Sequence, residues 1–248
     1  MKTSWIAGLV GLFFLASCSP VVVTTTAPGG AAPQPAPSQS TRVVQPQADR
    51  IDSQTAARNF VAVVRRVEPV AEAVCRQQAP RSNCDFQIVV DDRPGIPANA
   101  LQTLDRNGRP IIVFTLPLIA DTRNQDEIAF IMSHEAAHHI RGHLARQRQA
   151  ANLGAEVFGR LASSLGDSGN AVRTAQQLGA AVGARSFSKE FELEADELGT
   201  RIAARAGYDP LRGAAFFARI PDPGDRFLGT HPPNADRVRI VQQTAAQL

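Results

Sequence analysis

Apolar residues recur at helical spacing from Asp52 onward, at Ala56, Phe60, Val63, Val64, Val67, Val70 and Val74. That period predicts an amphipathic helix. Pro69 should kink or divide it, because proline has no N–H and its ring crowds the preceding turn. The pattern then shortens. A strand is expected at about 85–90, and a hairpin over about 98–115 that turns at Arg106-Asn107-Gly108, since Asn-Gly favours tight hairpin turns. The second arm, Ile111-Ile112-Val113-Phe114-Thr115, is the most strand-like run of the chain. Beyond it the pattern is helical again. Asn124 can cap a helix that opens with Gln125-Asp126-Glu127, acids where the helix dipole favours them, and that extends to about Gln149. Two short helices are expected across 151–185, turning at Gly166-Asp167-Ser168-Gly169. Further helices should run from Ser188 to about Ala206, from Asp209-Pro210 to about Arg219, and from near Asn234, after a Pro/Gly loop at 221–233. The fold class is therefore α+β, mainly helical, with a small antiparallel sheet.

The N-terminal fifth does not share this patterning. Lys2 followed by apolar Ile6 to Ala16 reads as a signal peptide over 1–17, too short to span a bilayer. It ends in Leu15-Ala16-Ser17-Cys18, which resembles the bacterial lipoprotein cleavage box. That resemblance implies acylation of Cys18, and Ser19 after it implies sorting to the outer membrane of a Gram-negative bacterium. Residues 18–50 then form a Pro/Ala/Ser-rich tether, and 51–248 the folded domain. No apolar run of bilayer-spanning length occurs outside the leader. The net charge of +3 comes almost wholly from scattered Arg, with Lys only at 2 and 189. There is no basic block and no aromatic interleaving, which argues against a nucleic-acid partner. Export implies an oxidising compartment, so Cys75 and Cys84 should form a disulfide.

Chemistry concentrates in the histidines. Four of the five, His134, His138, His139 and His143, fall within ten residues. His134-Glu135-Ala136-Ala137-His138 has the H-E-x-x-H pattern. Positions four apart share a helix face, so both imidazoles can hold one zinc ion while Glu135 reaches its water as general base. A catalytic zinc needs a third protein ligand. Glu192 and Asp196, also four apart on a predicted helix, resemble the E-x-x-x-D third-ligand motif of the gluzincins, which implies Glu192 as the zinc ligand and Asp196 as the carboxylate that orients a ligand histidine; Glu194 is the rival ligand. His139 and His143 should support the ligands from behind or lie on the surface.

Taken together, His134-Glu135-Ala136-Ala137-His138 with His143, Glu192-Leu193-Glu194-Ala195-Asp196, and Thr230-His231-Pro232-Pro233 resemble the zinc metallopeptidases of family forty-eight, HtpX-like and BepA-like gluzincins. The resemblance covers about 60–248. It implies a zincin-like domain whose sheet packs on the H-E-x-x-H helix, one Zn2+ per chain, and endopeptidase activity on polypeptides. Lacking the transmembrane helices of the HtpX branch, the chain looks closer to the periplasmic lipoproteins of the family, which are linked to envelope quality control. The implied partners are unfolded envelope proteins, the lipid anchor's membrane and the outer-membrane assembly machinery. An alternative is a zinc-dependent periplasmic chaperone with little proteolysis. The resemblance also places His231 near the metal, as an oxyanion donor or as a latch on the open coordination position. Tyr208 is a weaker oxyanion candidate. Strand 111–115 is a candidate edge for an extended substrate.

Overall fold

The computed structural model describes residues 51–222, 224 and 231–248. The expected signal peptide, the lipidation at Cys18 and the tether lie outside them, as does Thr230.

Helix α1 (Ser53–Gln78) begins where Asp52 accepts a hydrogen bond from Thr55 N at 2.9 Å. It buries Val63, Val67, Ala71 and Val74 and runs unbroken through Pro69, contrary to the expected division. Pro69 is exposed, so its ring and the carbonyl it leaves unpaired face water, while the opposite face keeps the helix in place by burial. The Cys75–Cys84 disulfide ties the end of α1 to the chain entering the sheet. Closing so short a loop contributes about 2 to 3 kcal/mol in the chain-entropy account.

The sheet is mixed rather than antiparallel throughout. Strands β1 (Gln87–Asp91), β2 (Ala100–Leu104) and β3 (Pro110–Thr115) lie in the order β1-β3-β2. β2 and β3 pair antiparallel as the expected hairpin, with Leu104 opposite Pro110, whereas β1 joins β3 in parallel. Asp105 organises the turn by accepting from Asn107 N and Arg109 N, and Gly108 takes φ +81°, which suits glycine. β3 is thus the central strand, buried at Ile112 and Phe114 and paired on both sides, so it is not a free edge for substrate. The two edge strands are β1 and β2.

A short helix α2 (Leu116–Asp121) leads to α3 (Gln125–Ile140), which Asn124 caps by accepting from Glu127 N at 3.0 Å. Eleven of its sixteen residues are buried, which makes α3 the axis of the domain. It does not continue to Gln149. Gly142 turns the chain at φ +66°, and a separate helix α4 (His143–Ser164) follows. α4 forms a hairpin with α5 (Asn170–Arg185), turning at the expected Gly166–Gly169 segment. Then come α6 (Ser188–Arg205), α7 (Pro210–Ala214) with a 3-10 turn over Ala215–Ala218, and α8 (Asn234–Ala245).

One core unites α1, β3, α3 and α6 through Phe60, Val67, Phe114, Ile128, Met132 and Leu198. Each such side chain contributes about 1.5 to 3 kcal/mol by burial. On the other side of α3, Phe130, Phe217 and Val241 hold α7 and α8 in place, and the Phe130 and Phe217 rings meet edge to face at 5.6 Å.

Candidate metal centre

α3 presents His134 and His138 from consecutive turns. α6 crosses beside them because Gly199 has no side chain. A Cβ there would lie 3.0 Å from both the Cα and the N of His134. Glu192, Asp196 and Gly199 fall at i, i+4 and i+7, so the face that makes this approach also carries the two carboxylates.

Glu192 Oε2 lies 3.4 Å from His134 Nε2, and Glu192 Oε1 lies 3.4 Å from His138 Nε2. The two Nε2 atoms are 3.0 Å apart. Among the described residues, these three are the one group of metal-ligating side chains whose donor atoms gather within 4.8 Å. The set fits a metal ion. Two bonds of about 2.0 to 2.1 Å at a tetrahedral angle separate their donors by about 3.3 Å. Two imidazoles and one carboxylate are also the ligand set of a catalytic zinc with a coordination position left open. Glu194 is outside this group, half-exposed and turned toward α4.

The groups behind the donors settle their orientation. Asp196, fully buried, lies 2.9 Å from His134 Nδ1. It also accepts from Arg237 Nε and Nη2, both at 2.7 Å. Both carboxylate oxygens accept from the guanidinium, so His134 Nδ1–H donates to Asp196, which turns Nε2 toward the cluster, where a bound metal would displace its proton. Burial opposes charge on His134, but Asp196 and Glu192 outweigh it and raise its pKa to about 10. Burial likewise opposes charge on Glu192, yet without a metal the His134, His138 and His231 rings around it hold its carboxyl well below the usual range. His143 is buried behind His138, with the two Nδ1 atoms 2.8 Å apart, and burial pushes its pKa down to about 4. Arg146, against some burial, draws Glu194 down to about 2. His139 turns elsewhere. Its Nε2–H donates to Asn83 O at 2.7 Å, and its ring meets Phe86, tying α3 to the disulfide loop.

Arg237 is the residue that sequence reasoning passed over. It sits on the buried stripe of α8 with Val241 and Thr244, its guanidinium 4.0 Å from the Phe217 ring centroid. An arginine on the inward face of a helix was the available signal, since a buried cation needs a partner.

The three donors lie at the wall of a cavity of about 580 Å³, into which Glu135 also opens. One side is the start of β2 with the two residues before it, Ala98 to Gln102, and apolar Ile131, Leu144 and Phe216 contribute elsewhere. His231, just over half exposed, stands above the donors with Nδ1 3.3 Å from Glu192 Oε2. Tyr208 packs in the core and does not line the cavity. Among the described residues no helix is long and apolar enough to cross a membrane.

A helix with paired histidines around a glutamate, crossed by a second helix that supplies another glutamate, is the arrangement of zinc-dependent peptidases. Residues 57–245 match Peptidase family M48, and the chain belongs to that family. Its members are metal-dependent peptidases. The beta-barrel assembly-enhancing protease of Escherichia coli (strain K12) is 29% identical over 150 residues, 55% of this chain and 31% of that protein. The protein of the same name from Yersinia pestis gives the same figures. A Vibrio cholerae protein, provisionally given that name, is 31% identical over 144 residues, 52% of this chain and 30% of its own length. The aligned region therefore spans under a third of these relatives.

Proposed function

We propose that this protein is a zinc-dependent endopeptidase of the bacterial envelope that hydrolyses misfolded or unassembled envelope proteins. The observation that carries the reading is the cavity that gathers His134, His138 and Glu192 beside Glu135 and the β2 side of the sheet, an edge among the described residues. One zinc per chain would be held by those three donors, and it supplies Lewis acidity that brings a water's pKa toward 7. The chain's own groups do the rest. An extended polypeptide adds antiparallel or parallel to the edge of β2, its backbone held by main-chain hydrogen bonds. Glu135 accepts the proton of the attacking water on its carboxylate and passes it to the leaving amine. His231, as a donor above Glu192, stabilises the oxyanion that develops at the carbonyl. Asp196 and Arg237 keep the His134 ring fixed throughout.

Acylation of Cys18 would hold the domain at the periplasmic face of the outer membrane. The names of the relatives support an association with β-barrel assembly, with unfolded outer-membrane polypeptides as the substrate class.

The same His231 contact favours a second role, since a nitrogen so close to Glu192 can also take the open coordination position and act as a latch. Kinetics on an unfolded protein, with zinc content measured in parallel, test both points. Glu135→Gln should keep the zinc and lose nearly all hydrolysis; full activity in that variant refutes the endopeptidase reading. His231→Ala should lower kcat by about 10²- to 10³-fold if the side chain serves the oxyanion. It should raise activity if the side chain is a latch.

A further inference from the structure

His138 and His134 are supported in different ways. Behind His134 stands a carboxylate, Asp196, in direct contact. Behind His138 stands another imidazole, His143, and only behind that a carboxylate, Glu194. His143 Nε2 lies 3.1 Å from Glu194 Oε2, and Glu194 itself accepts from Arg146 Nη1 at 2.6 Å and Nη2 at 3.2 Å. The His143 side chain is 4% exposed and stacks on Phe191, with centroids 4.6 Å apart and planes within 8°.

Hydrogen-bond chemistry fixes every proton along this line. A carboxylate bound by a guanidinium only accepts, so the proton of His143 is on Nε2. A neutral imidazole has one N–H, which leaves Nδ1 of His143 with a lone pair. Two ring nitrogens 2.8 Å apart need one proton between them, and it must come from His138 Nδ1. His138 then has its lone pair on Nε2, the atom that faces His134 and Glu192. We propose that His143 and Glu194 are a positioning pair that sets the tautomer and ring orientation of His138, so that a carboxylate on α6 prepares a metal ligand on α3 through an intervening imidazole. The proposal rests on His138 being a metal ligand. It accounts for the packing of His143 against Phe191, which keeps its ring from turning. It also gives the first turn of α4, with His143 and Arg146, a place in the metal centre.

Zinc affinity by chelator competition and long-range proton–nitrogen NMR of the histidine rings test this on the purified protein. In the zinc-loaded wild type, His138 should have its proton on Nδ1 and His143 on Nε2; a proton on His143 Nδ1 overturns the proposal even if no variant folds. His143→Leu should weaken zinc binding by about 10- to 100-fold, the usual effect of losing a partner behind a ligand. His143→Asn places an amide oxygen where Nδ1 was and should recover most of that loss. A variant with Asn as poor as that with Leu would reduce His143 to packing and overturn the proposal. His138→Ala separates the two readings. Loss of affinity there with none in His143→Leu overturns the positioning role alone. Unchanged affinity in His138→Ala overturns the ligand reading and the proposal with it.

Discussion

Two pairs of helices in this domain use glycine to approach closely, and they could hardly be more different in what surrounds the contact. In α3 and α6, eleven of sixteen and ten of eighteen residues are buried, so both helices are part of the core on several sides. In α4 and α5 the figures are three of twenty-two and one of sixteen, so beyond the first turn of α4 this hairpin is held, among the described residues, by little besides itself. A Cβ on Gly179 would fall 2.2 Å from Gly154 O, and one on Gly183 would fall 2.1 Å from Ala150 O. The backbones therefore meet, while Leu153, Val157, Leu161 and Leu165 are left more than half exposed. The first pair spends its glycine on placing carboxylates against histidines. The second spends its glycines on holding two helices together without a core. Local stability should follow, with the metal centre near the global value and the outer hairpin well below it.

The sharpest way to break this contrast is to remove the anchor of the first pair. Asp196→Ala strands the buried Arg237 guanidinium and leaves His134 Nδ1 without its partner. Loss of one member of a buried pair should cost about 3 to 5 kcal/mol in urea unfolding. In the hairpin, Glu156→Ala removes the exposed partner of Arg160 and should leave the unfolding curve where it was. Equal effects from the two would erase the distinction.

Glycine substitutions sharpen it further. In Gly199→Ala the new methyl group presses on the His134 backbone, so α6 must move by a few tenths of an ångström. A cost of about 1 to 3 kcal/mol is expected, together with weaker zinc binding, because Glu192 moves relative to the histidines. Gly179→Ala forces a worse local overlap, yet its expected signature is faster amide exchange confined to about 150–185, beyond the turn that carries His143, with zinc affinity retained. Equal loss of zinc in Gly179→Ala would show that the hairpin and the metal centre are one mechanical unit.

The same contrast explains what could be read from the sequence. The metal-bearing faces were legible because each obeys a helical period: His134 and His138 on α3, Glu192 and Asp196 on α6. Asn124 and Asp209 are legible helix starts because a side-chain oxygen next to a run of helix formers has one obvious use. The end of α3 was not legible. His139 to Gln149 has good helix formers on both sides of Gly142, and only the positive φ there reveals the break. Nor was the sheet order. Ile111–Thr115 reads as a strand wherever it sits, and its central position depends on β1 pairing with it across the intervening hairpin. Pro69 misled for a related reason, because tertiary burial of α1 outweighs a local penalty that faces water. Arg237 and the His143–Glu194 contact depend on three helices meeting, which no local pattern encodes.

The smallest expected effect tests the hairpin directly. Leu161→Gln replaces a side chain that is 56% exposed with one of similar helix propensity, so backbone preference is held nearly constant and burial alone is varied. In the isolated protein the stability change should stay within about 0.5 kcal/mol, as for other surface substitutions. Zinc content should not change, because Leu161 is outside the cavity that holds the donors. The stripe from Leu153 to Leu165 would then be an apolar surface that the fold itself does not use. A loss of more than about 1.5 kcal/mol, the range for a core position, would mean instead that the stripe is covered in solution and that the hairpin has a core the isolated chain does not contain.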